Sequence, residues 1–244
     1  MTQNWFYSET ITPGTVVLIG PEAHHLAGVK RIAIGNCVTL FDGQGQIAQC
    51  EVAALAKREV TLTVQNIQNI APESRGKIII ATSLAKGDRF DWLIATCTQL
   101  GVDTIIPVLY ERTVKKASSP KIIERFNNLA LSSAKQCKRP YLPTFEKPCS
   151  LKEAINLVRT SATKPTILIG SLTPNVESIA NSPWPNTDVV AFIGPEGGMT
   201  EAEETLLIEK NAQQVRLTDH ILRIETAAQT FSAILAAKRH ASTA

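Results

Sequence analysis

The chain has 244 residues, 44% of them hydrophobic, and a formal net charge of +3, so it can form one large domain or two smaller ones with packed cores. Its five cysteines are scattered, without a Cys-x-x-Cys pair or a histidine cluster nearby, which favours reduced thiols and argues against disulfides or a bound metal. The first residues lack a basic and apolar leader and no apolar run reaches membrane-spanning length, so we expect a cytoplasmic protein without membrane contact.

The first seventy residues contain short β-type segments. Apolar runs at residues 15–20, 37–43, 46–55 and 59–67 predict four strands, and Asp-Gly-Gln-Gly at residues 42–45 predicts a hairpin turn. Several short strands in so little chain predict a small β-barrel. Residues 70–76 combine proline, glycine and charge, as is typical of a linker, so we place a domain boundary between residues 72 and 73.

From Lys77 onward, strand and helix patterns alternate. Strands are predicted at residues 77–84, 103–109, 165–170, 188–194 and 214–218, and helices at 88–101, from Ser119 and Pro120 to Arg139, and from Glu225 to His240. Two capping boxes predict further helix starts, at Ser150 with Glu153 and at Thr200 with Glu203. The alternation predicts an α/β domain over residues 73–244, with a parallel sheet covered on both faces.

The predicted helix that ends at Arg139 carries much of the positive charge. From Arg112 to Arg139, eight basic residues stand against one acid, so this segment has a net charge of +7 and the rest of the chain −4. Spacings of three and four place the polar side chains of the helix on one stripe: Lys121, Arg125, Asn128, Ser132, Lys135 and Arg139. The stripe is either an ordinary solvated helix face or a surface for a nucleic-acid backbone.

The sequence FIGPEGGMTEAEE, from Phe192 to Glu204, places three glycines and a proline between a predicted buried strand and a helix start. Ligands of open α/β sheets bind at such strand-to-helix turns. The spacing matches neither the dinucleotide nor the P-loop fingerprint, and a carboxylate at Glu196 would repel phosphate. The turn is therefore either a plain loop or a site for a neutral or cationic ligand.

Three segments that follow predicted strands carry a family resemblance: ILIGSLTP (167–174), FIGPEGG (192–198) and LTDHILRIETA (217–227). Together they resemble the SPOUT superfamily of methyltransferases, specifically the bacterial enzymes that methylate N3 of a uridine in 16S ribosomal RNA. Residues 24–45 are similar to the PUA-like domain of that family, and residues 86–108 and 134–143 to its next blocks. The pattern differs at Gln99, Lys138 and Ile224, where the family usually has glutamate, glycine and threonine.

The resemblance implies a small PUA-like β-barrel that binds RNA at residues 1–72 and a SPOUT domain with a deep trefoil knot at residues 73–244. It also implies a homodimer, S-adenosylmethionine as cofactor, and 16S ribosomal RNA of the small ribosomal subunit as partner. The implied cofactor-binding residues are Ile169, Gly170, Ile193, Gly194, Pro195, Glu196, Gly197, Gly198, Leu217, Ile221, Leu222, Arg223, Thr226 and Ala227. Glycines let the backbone approach the cofactor closely, and the leucines and isoleucines provide apolar walls.

Methylation at N3 of uracil requires loss of the N3 proton, which a nearby cation favours. The candidate cations are Arg223 and Arg139, and Glu225 is the candidate proton acceptor or orienting partner of Arg223. A structural ion pair between Arg223 and Glu225 is the alternative interpretation. The candidate RNA-binding residues are Lys30, Arg31, Lys121, Arg125, Lys135, Gln136 and Arg139, whereas His24 and His25 are expected to be exposed residues of the barrel.

Two other functions stay open at this point. One is a SPOUT methyltransferase that acts on transfer RNA, and the other is a non-catalytic RNA-binding or ribosome-assembly protein that retains the fold. The intact GPEGG and ILRxETA segments favour an enzyme that binds a cofactor.

Overall fold

The computed structural model describes residues 4–114, 121–160, 164–183 and 185–241. Contacts divide the chain into two units, one of Met1–Pro72 with Leu131–Leu142 and one of Glu73–Ala130 with Pro143–Ala244. The domain bounds expected from the sequence stay a prediction. Lys115, Lys116 and the helix start expected at Ser119 and Pro120 lie outside the described residues.

The first unit is built on a five-stranded sheet with the order β1-β3-β4-β5-β2. Its strands are β1 (Trp5–Tyr7), β2 (Gly14–Ile19), β3 (Cys37–Phe41), β4 (Gln46–Leu55) and β5 (Glu59–Asn69), and the short helix α1 (Gly20–His24) follows β2. Neighbouring strands are antiparallel except β1 and β3, which are parallel. The core between them contains Phe6, Leu26, Val38, Leu40 and Leu62, all fully buried. The four strands expected from the sequence are confirmed.

Helix α1 was not expected, because no side chain caps its first turn. Pro21 supplies the preset backbone angle at its start, and the chain continues as a π-helical turn over His25–Val29. His24 is exposed, but the ring of His25 is half-buried and packs edge-on against Phe6 at 5.6 Å. The expectation of an exposed His25 was therefore wrong, and burial lowers the pKa of its ring.

Residues 131–142 are bound into the first unit by hydrogen bonds to its hairpin turn and to the residue after its last strand. Tyr141 Oη donates to the Ile70 carbonyl at 2.7 Å, and Leu142 N donates to the Gly43 carbonyl at 2.8 Å. Lys138 adopts a φ of 58°, in the left-handed region where glycine is preferred. This is the position at which the resembled family has glycine, so the turn is kept here at a conformational cost.

The second unit contains a seven-stranded sheet with the order β12-β10-β11-β6-β7-β8, and β9 also pairs with β7. Its strands are β6 (Ile78–Ser83), β7 (Thr104–Leu109), β8 (Thr144–Phe145), β9 (Cys149–Ser150), β10 (Thr166–Gly170), β11 (Val189–Ile193) and β12 (Gln213–Val215). Its helices are α2 (Arg89–Gln99), α4 (Leu151–Arg159), α5 (Glu201–Glu209) and α6 (Ile224–Ala241), while α3 (Ile122–Cys137) has residues in both units. Every pairing is parallel, as the sequence predicts.

Both faces of this sheet are covered, because alternate residues of each strand enter different cores. Ile78 and Ile80 pack with residues of α2 and α6, whereas Ile79 and Ala81 pack with residues of α4 and α5. This arrangement explains the continuous apolar runs of the strands. Both expected capping boxes are present, at Ser150 and Thr200. Because all strands run in one direction, their carboxyl ends meet at one edge of the sheet.

Candidate active site

A cavity of about 570 Å³ lies at the carboxyl edge of the parallel sheet. It is formed by the segments that follow β10 and β11 and by the segment between β12 and α6. Its lining residues are Gly170, Ser171, Leu172, Phe192, Ile193, Gly194, Pro195, Glu196, Gly197, Gly198, Met199, Glu204, Leu217, Thr218, His220, Ile221, Leu222, Arg223, Ile224, Ala227 and Phe231. The volume suits a small-molecule ligand.

Twelve of the fourteen cofactor-binding residues expected from the sequence line this cavity, since Ile169 and Thr226 do not. The side chain of Ile169 is buried in the core under the sheet. Sequence reasoning missed several lining residues, among them Leu172, Met199, His220 and Phe231. Leu172, Met199 and His220 belong to the same three segments, so the segments as a whole were the better signal.

The Gly-Pro-Glu-Gly-Gly turn bends the chain sharply between β11 and α5. Gly198 has a φ of 74°, and its N–H donates to the Pro195 carbonyl at 2.9 Å. The helix then begins at once, because Glu203 N donates to Thr200 Oγ1 at 3.3 Å and Thr200 N donates to Glu203 Oε2 at 2.8 Å. A Cβ atom on Gly194 would lie 2.8 Å from Met199 Cγ, so the turn also needs glycine for packing.

The segment between β12 and α6 forms the opposite wall. Thr218 Oγ1 donates to the His220 carbonyl at 2.9 Å and fixes the first bend. The side chain of Ile221 is 89% exposed although it lines the cavity. A large apolar side chain held in solvent at a cavity mouth is typical of a ligand-binding wall.

Arg216 connects the β10 and β12 segments. Its Nη2 donates to the Thr173 carbonyl at 3.0 Å, and its backbone N donates to the Glu177 carbonyl at 2.9 Å. Ser171 N donates to the Val215 carbonyl at 2.9 Å. These bonds hold two of the three cavity segments together.

The charged groups of the site are separated. Glu196 and Glu204 are exposed carboxylates that line the cavity, and Arg223 is an exposed cation that lines it too. Glu225 is not one of the lining residues; it is only 4% exposed, and its Oε2 atom has no hydrogen-bond partner among the described residues. Within the same residues, no ion pair or hydrogen bond joins Arg223 to Glu225, so the interpretation of a structural pair gains no support.

The candidate RNA-binding residues fall into two groups. Lys30, Arg31, Lys121, Arg125 and Gln136 are exposed, and Arg139 is half-buried. Arg125 pairs with Asp91 while its side chain stays 56% exposed. Lys135 Nζ instead lies 2.6 Å from Glu22 Oε1, with its side chain only 17% exposed. The exposed residues of the basic stripe are therefore more accessible to a phosphate backbone than Lys135.

Within the described ranges, no cluster of three or more histidine, cysteine or acidic side chains has the arrangement of a metal site. Across that same part of the chain, no helix combines the length and the hydropathy that crossing a membrane requires.

Comparisons with known proteins match both parts of the chain. A family described as an RNA methyltransferase domain matches residues 72–236, and one described as an RNA methyltransferase PUA domain matches residues 18–65. The chain is 30% identical to ribosomal RNA small subunit methyltransferase E of Synechocystis sp. over 90% of its length and 72% of that protein. It is 29% identical to the protein of the same name from Bacillus subtilis, over 87% and 86% of the two chains.

A solved structure agrees with these matches. Ribosomal RNA small subunit methyltransferase E from Neisseria gonorrhoeae, bound to S-adenosyl methionine, superposes with a TM-score of 0.85 at 30% identity and covers 95% of each chain. The expected fold class, an α/β methyltransferase domain with an N-terminal PUA-like domain, is thereby confirmed. The chain belongs to the RNA methyltransferase family that includes ribosomal RNA small subunit methyltransferase E.

Proposed function

We propose that the protein transfers a methyl group from S-adenosylmethionine to N3 of one uridine in the 16S ribosomal RNA of the small ribosomal subunit. The observation that carries the proposal is the cavity formed by the Gly-Pro-Glu-Gly-Gly turn and the segment from Leu217 to Arg223. The same two segments carry the resemblance to enzymes of this activity, and the relatives named above share that substrate class. The reaction would take place in the cytoplasm.

The residues of the cavity fit S-adenosylmethionine in shape and charge. Leu217, Ile221 and Leu222 offer apolar surface for an adenine ring, and the glycine turn exposes backbone amides and carbonyls beside it. The carboxylates of Glu196 and Glu204 favour a ligand with positive charge, such as a sulfonium and an ammonium group, over a phosphate. When bound, the cofactor supplies an electrophilic methyl group.

Arg223 and Glu225 are the proposed catalytic residues. Arg223 is exposed, lines the cavity and has no acidic partner among the described residues, so its charge is available to stabilise the uracil anion. Glu225 follows two residues later at the start of α6, and its buried Oε2 atom lacks a hydrogen-bond partner within the described part of the chain. We assign it as the acceptor of the N3 proton.

The RNA would be bound by Lys30 and Arg31 on the PUA-like domain and by Lys121, Arg125, Gln136 and Arg139 on α3 and the residues next to it, all of them exposed except the half-buried Arg139. Lys135 belongs to the same stripe, but its ammonium group forms a salt bridge with Glu22. The active form would be a homodimer, as the resemblance implies, and would require no metal ion.

Labelled methyl transfer tests this function. The full-length protein is incubated with labelled S-adenosylmethionine and, in separate reactions, with small ribosomal subunits, free 16S ribosomal RNA or transfer RNA from a strain that lacks the enzyme. The labelled nucleoside is identified by chromatography and mass spectrometry. We expect label on N3 of a single uridine, with assembled subunits preferred over free RNA because a two-domain protein can recognise a folded surface.

Each other outcome of that assay selects an alternative. Label on transfer RNA alone would identify transfer RNA as the substrate. Label on ribose or on C5 of the base would show that N3 is not the methylated atom. Neither transfer nor binding of S-adenosylmethionine would favour the non-catalytic RNA-binding function.

The salt dependence of RNA binding tests the basic stripe separately. Replacement of Lys121 and Arg125 by alanine should lower the slope of log affinity against log salt concentration by about 0.7 per lost contact on single-stranded RNA. Lys152 and Arg159, exposed on α4, provide the matched control pair. An unchanged slope in the first variant would return the stripe to an ordinary solvated helix face.

A further inference from the structure

Arg112 contacts the glycine turn of the cavity from its outer side. Its Nη1 atom donates to the Gly197 carbonyl at 2.9 Å. A Cβ atom placed on Gly197 would lie 3.5 Å from both Cβ and Cδ of Arg112, so the aliphatic part of the arginine also packs on this glycine. Gly197 lines the cavity, whereas Arg112 does not. The arginine therefore supports the turn without facing the ligand space.

The short segment that carries Arg112 is itself fixed. Tyr110 N donates to Thr113 Oγ1 at 2.8 Å, and Thr113 N donates to the Tyr110 carbonyl at 3.1 Å. Thr113 Oγ1 also lies 3.2 Å from Ser83 Oγ at the end of β6. A tight turn bonded to a central strand provides a rigid base for the Arg112 side chain.

The same segment binds the chain a second time beyond the glycine turn. Glu111 N donates to Glu203 Oε1 at 2.8 Å, and Glu203 is the residue whose carboxylate caps the first turn of α5. Gly197 and Glu203 are thus both held by neighbouring residues of the segment after β7. These two contacts bracket Gly198, whose φ of 74° makes the bend.

We propose that Arg112 is a positioning residue for the cofactor, because it fixes the Gly197 carbonyl and with it the shape of the glycine turn. This inference rests on the proposed function only in assigning S-adenosylmethionine to the cavity. Because Arg112 does not line the cavity, it would act on the cofactor through the backbone of Gly197. Its effect should therefore be seen in cofactor affinity and be absent from RNA affinity.

The test compares Arg112→Met, which keeps the length and packing of the side chain, with Arg112→Lys, which keeps a cationic donor. S-adenosylmethionine is titrated calorimetrically into each full-length protein without RNA, and thermal unfolding confirms that the variants are folded. We expect Arg112→Met to bind about tenfold more weakly, the order of magnitude of one lost charged hydrogen bond, and Arg112→Lys to lie between it and the wild type. Arg159→Met, an exposed arginine on α4, is the matched control.

The outcomes separate three cases. Wild-type cofactor affinity in folded Arg112→Met would overturn the inference while leaving the proposed function in place. A salt slope of RNA binding lowered by about 0.7 in Arg112→Met, with cofactor affinity unchanged, would make Arg112 an RNA contact and also overturn it. A wild-type protein that binds no S-adenosylmethionine would overturn both the proposed function and this inference.

Discussion

The arginines at the two edges of the parallel sheet differ in burial and in hydrogen-bond partners. At the amino edge, Arg239 is 5% exposed and both of its Nη atoms donate to acceptors, Nη1 to Asp103 Oδ2 at 2.7 Å and Nη2 to the Gly101 carbonyl at 3.0 Å. At the carboxyl edge, Arg223 is exposed beside the cavity, with no acidic partner among the described residues. One helix, α6, begins at the second site and ends at the first.

The two ends of α6 therefore have different roles: contacts at its carboxyl end stabilise the fold, and residues at its amino end face the cavity. Asp103 Oδ2 also accepts from Ile78 N at 2.8 Å, so the Arg239 cluster joins the end of α6 to the first residue of β6 and to the segment that precedes β7. Such a cluster fixes the helix. The polar groups at the other end stay available for a ligand, as expected of the edge at which open α/β sheets bind their substrates.

The largest expected effect comes from breaking the amino edge. Arg239→Met leaves the Asp103 carboxylate in a partly buried position without its cation, so the free energy of unfolding should fall by about 3 kcal/mol. Urea denaturation measures this value. Adding Asp103→Asn to Arg239→Met should restore part of the loss, and cofactor affinity should stay near that of the wild type below the unfolding transition. A change below about 0.5 kcal/mol would show that the cluster is an ordinary surface contact.

The next effect belongs to the carboxyl edge. Arg223→Ala should lower kcat for methyl transfer by about a hundredfold, because the stabilised charge develops only in the transition state, while RNA affinity changes little. The free energy of unfolding should not change, since Arg223 is exposed. Single-turnover kinetics with labelled cofactor measures the rate, with Arg159→Ala as control. Equal losses in RNA affinity and in rate would instead make Arg223 a general binding residue.

A smaller effect is expected at the bend of the turn. Gly198→Val places a branched side chain at a φ of 74°, at a cost of about 1–3 kcal/mol in the turn conformation. Cofactor affinity should weaken while the protein stays folded, because no atom lies within 4 Å of the added Cβ. An unchanged affinity in a folded Gly198→Val protein would remove this glycine from the site.

The smallest effect depends on pH and again concerns the amino edge. A hydrogen bond from Arg75, together with the charge of Arg239, lowers the pKa of Glu73 from 4.5 to about 2. The carboxylate therefore contributes stability above pH 4.5 that is lost as the pH falls toward 2. Glu73→Gln should be less stable than the wild type at neutral pH by about 1 kcal/mol or less, and the difference should vanish near pH 2. A difference that persists at low pH would point to lost packing rather than lost charge.

The sequence predicted the elements that have a periodic pattern and missed several that are too short to have one. The buried strands β6, β7, β10 and β11 were expected from their apolar runs, and the starts of α4 and α5 from their capping boxes. Strands β1, β8 and β9 contain only two or three residues, which are too few to show the alternating pattern of a strand in the sequence. They form because they pair with neighbouring strands in the fold.

The candidate site shows the same division. The glycine turn could be identified because glycine, proline and an N-cap stand in a local order, whereas the ILRxETA segment was identified through the family resemblance. The contacts of Arg112 with Gly197 and of Arg239 with Asp103 could not, since they join residues 85 and 136 positions apart. No spacing rule relates such positions; the parallel sheet brings them together. Ile169 was expected at the site from the family resemblance; its side chain is buried in the core and is not among the lining residues.

Binding of S-adenosylmethionine to two matched variants tests the central claim, that the carboxyl-edge cavity is the cofactor site. Ile221 and Ile208 are both exposed isoleucines, 89% and 49% exposed, but only Ile221 lines the cavity. Calorimetric titration should show one site per wild-type chain, weaker binding in Ile221→Ser and wild-type binding in Ile208→Ser. Equal affinity in both variants, or no binding to the wild-type protein, would contradict the account.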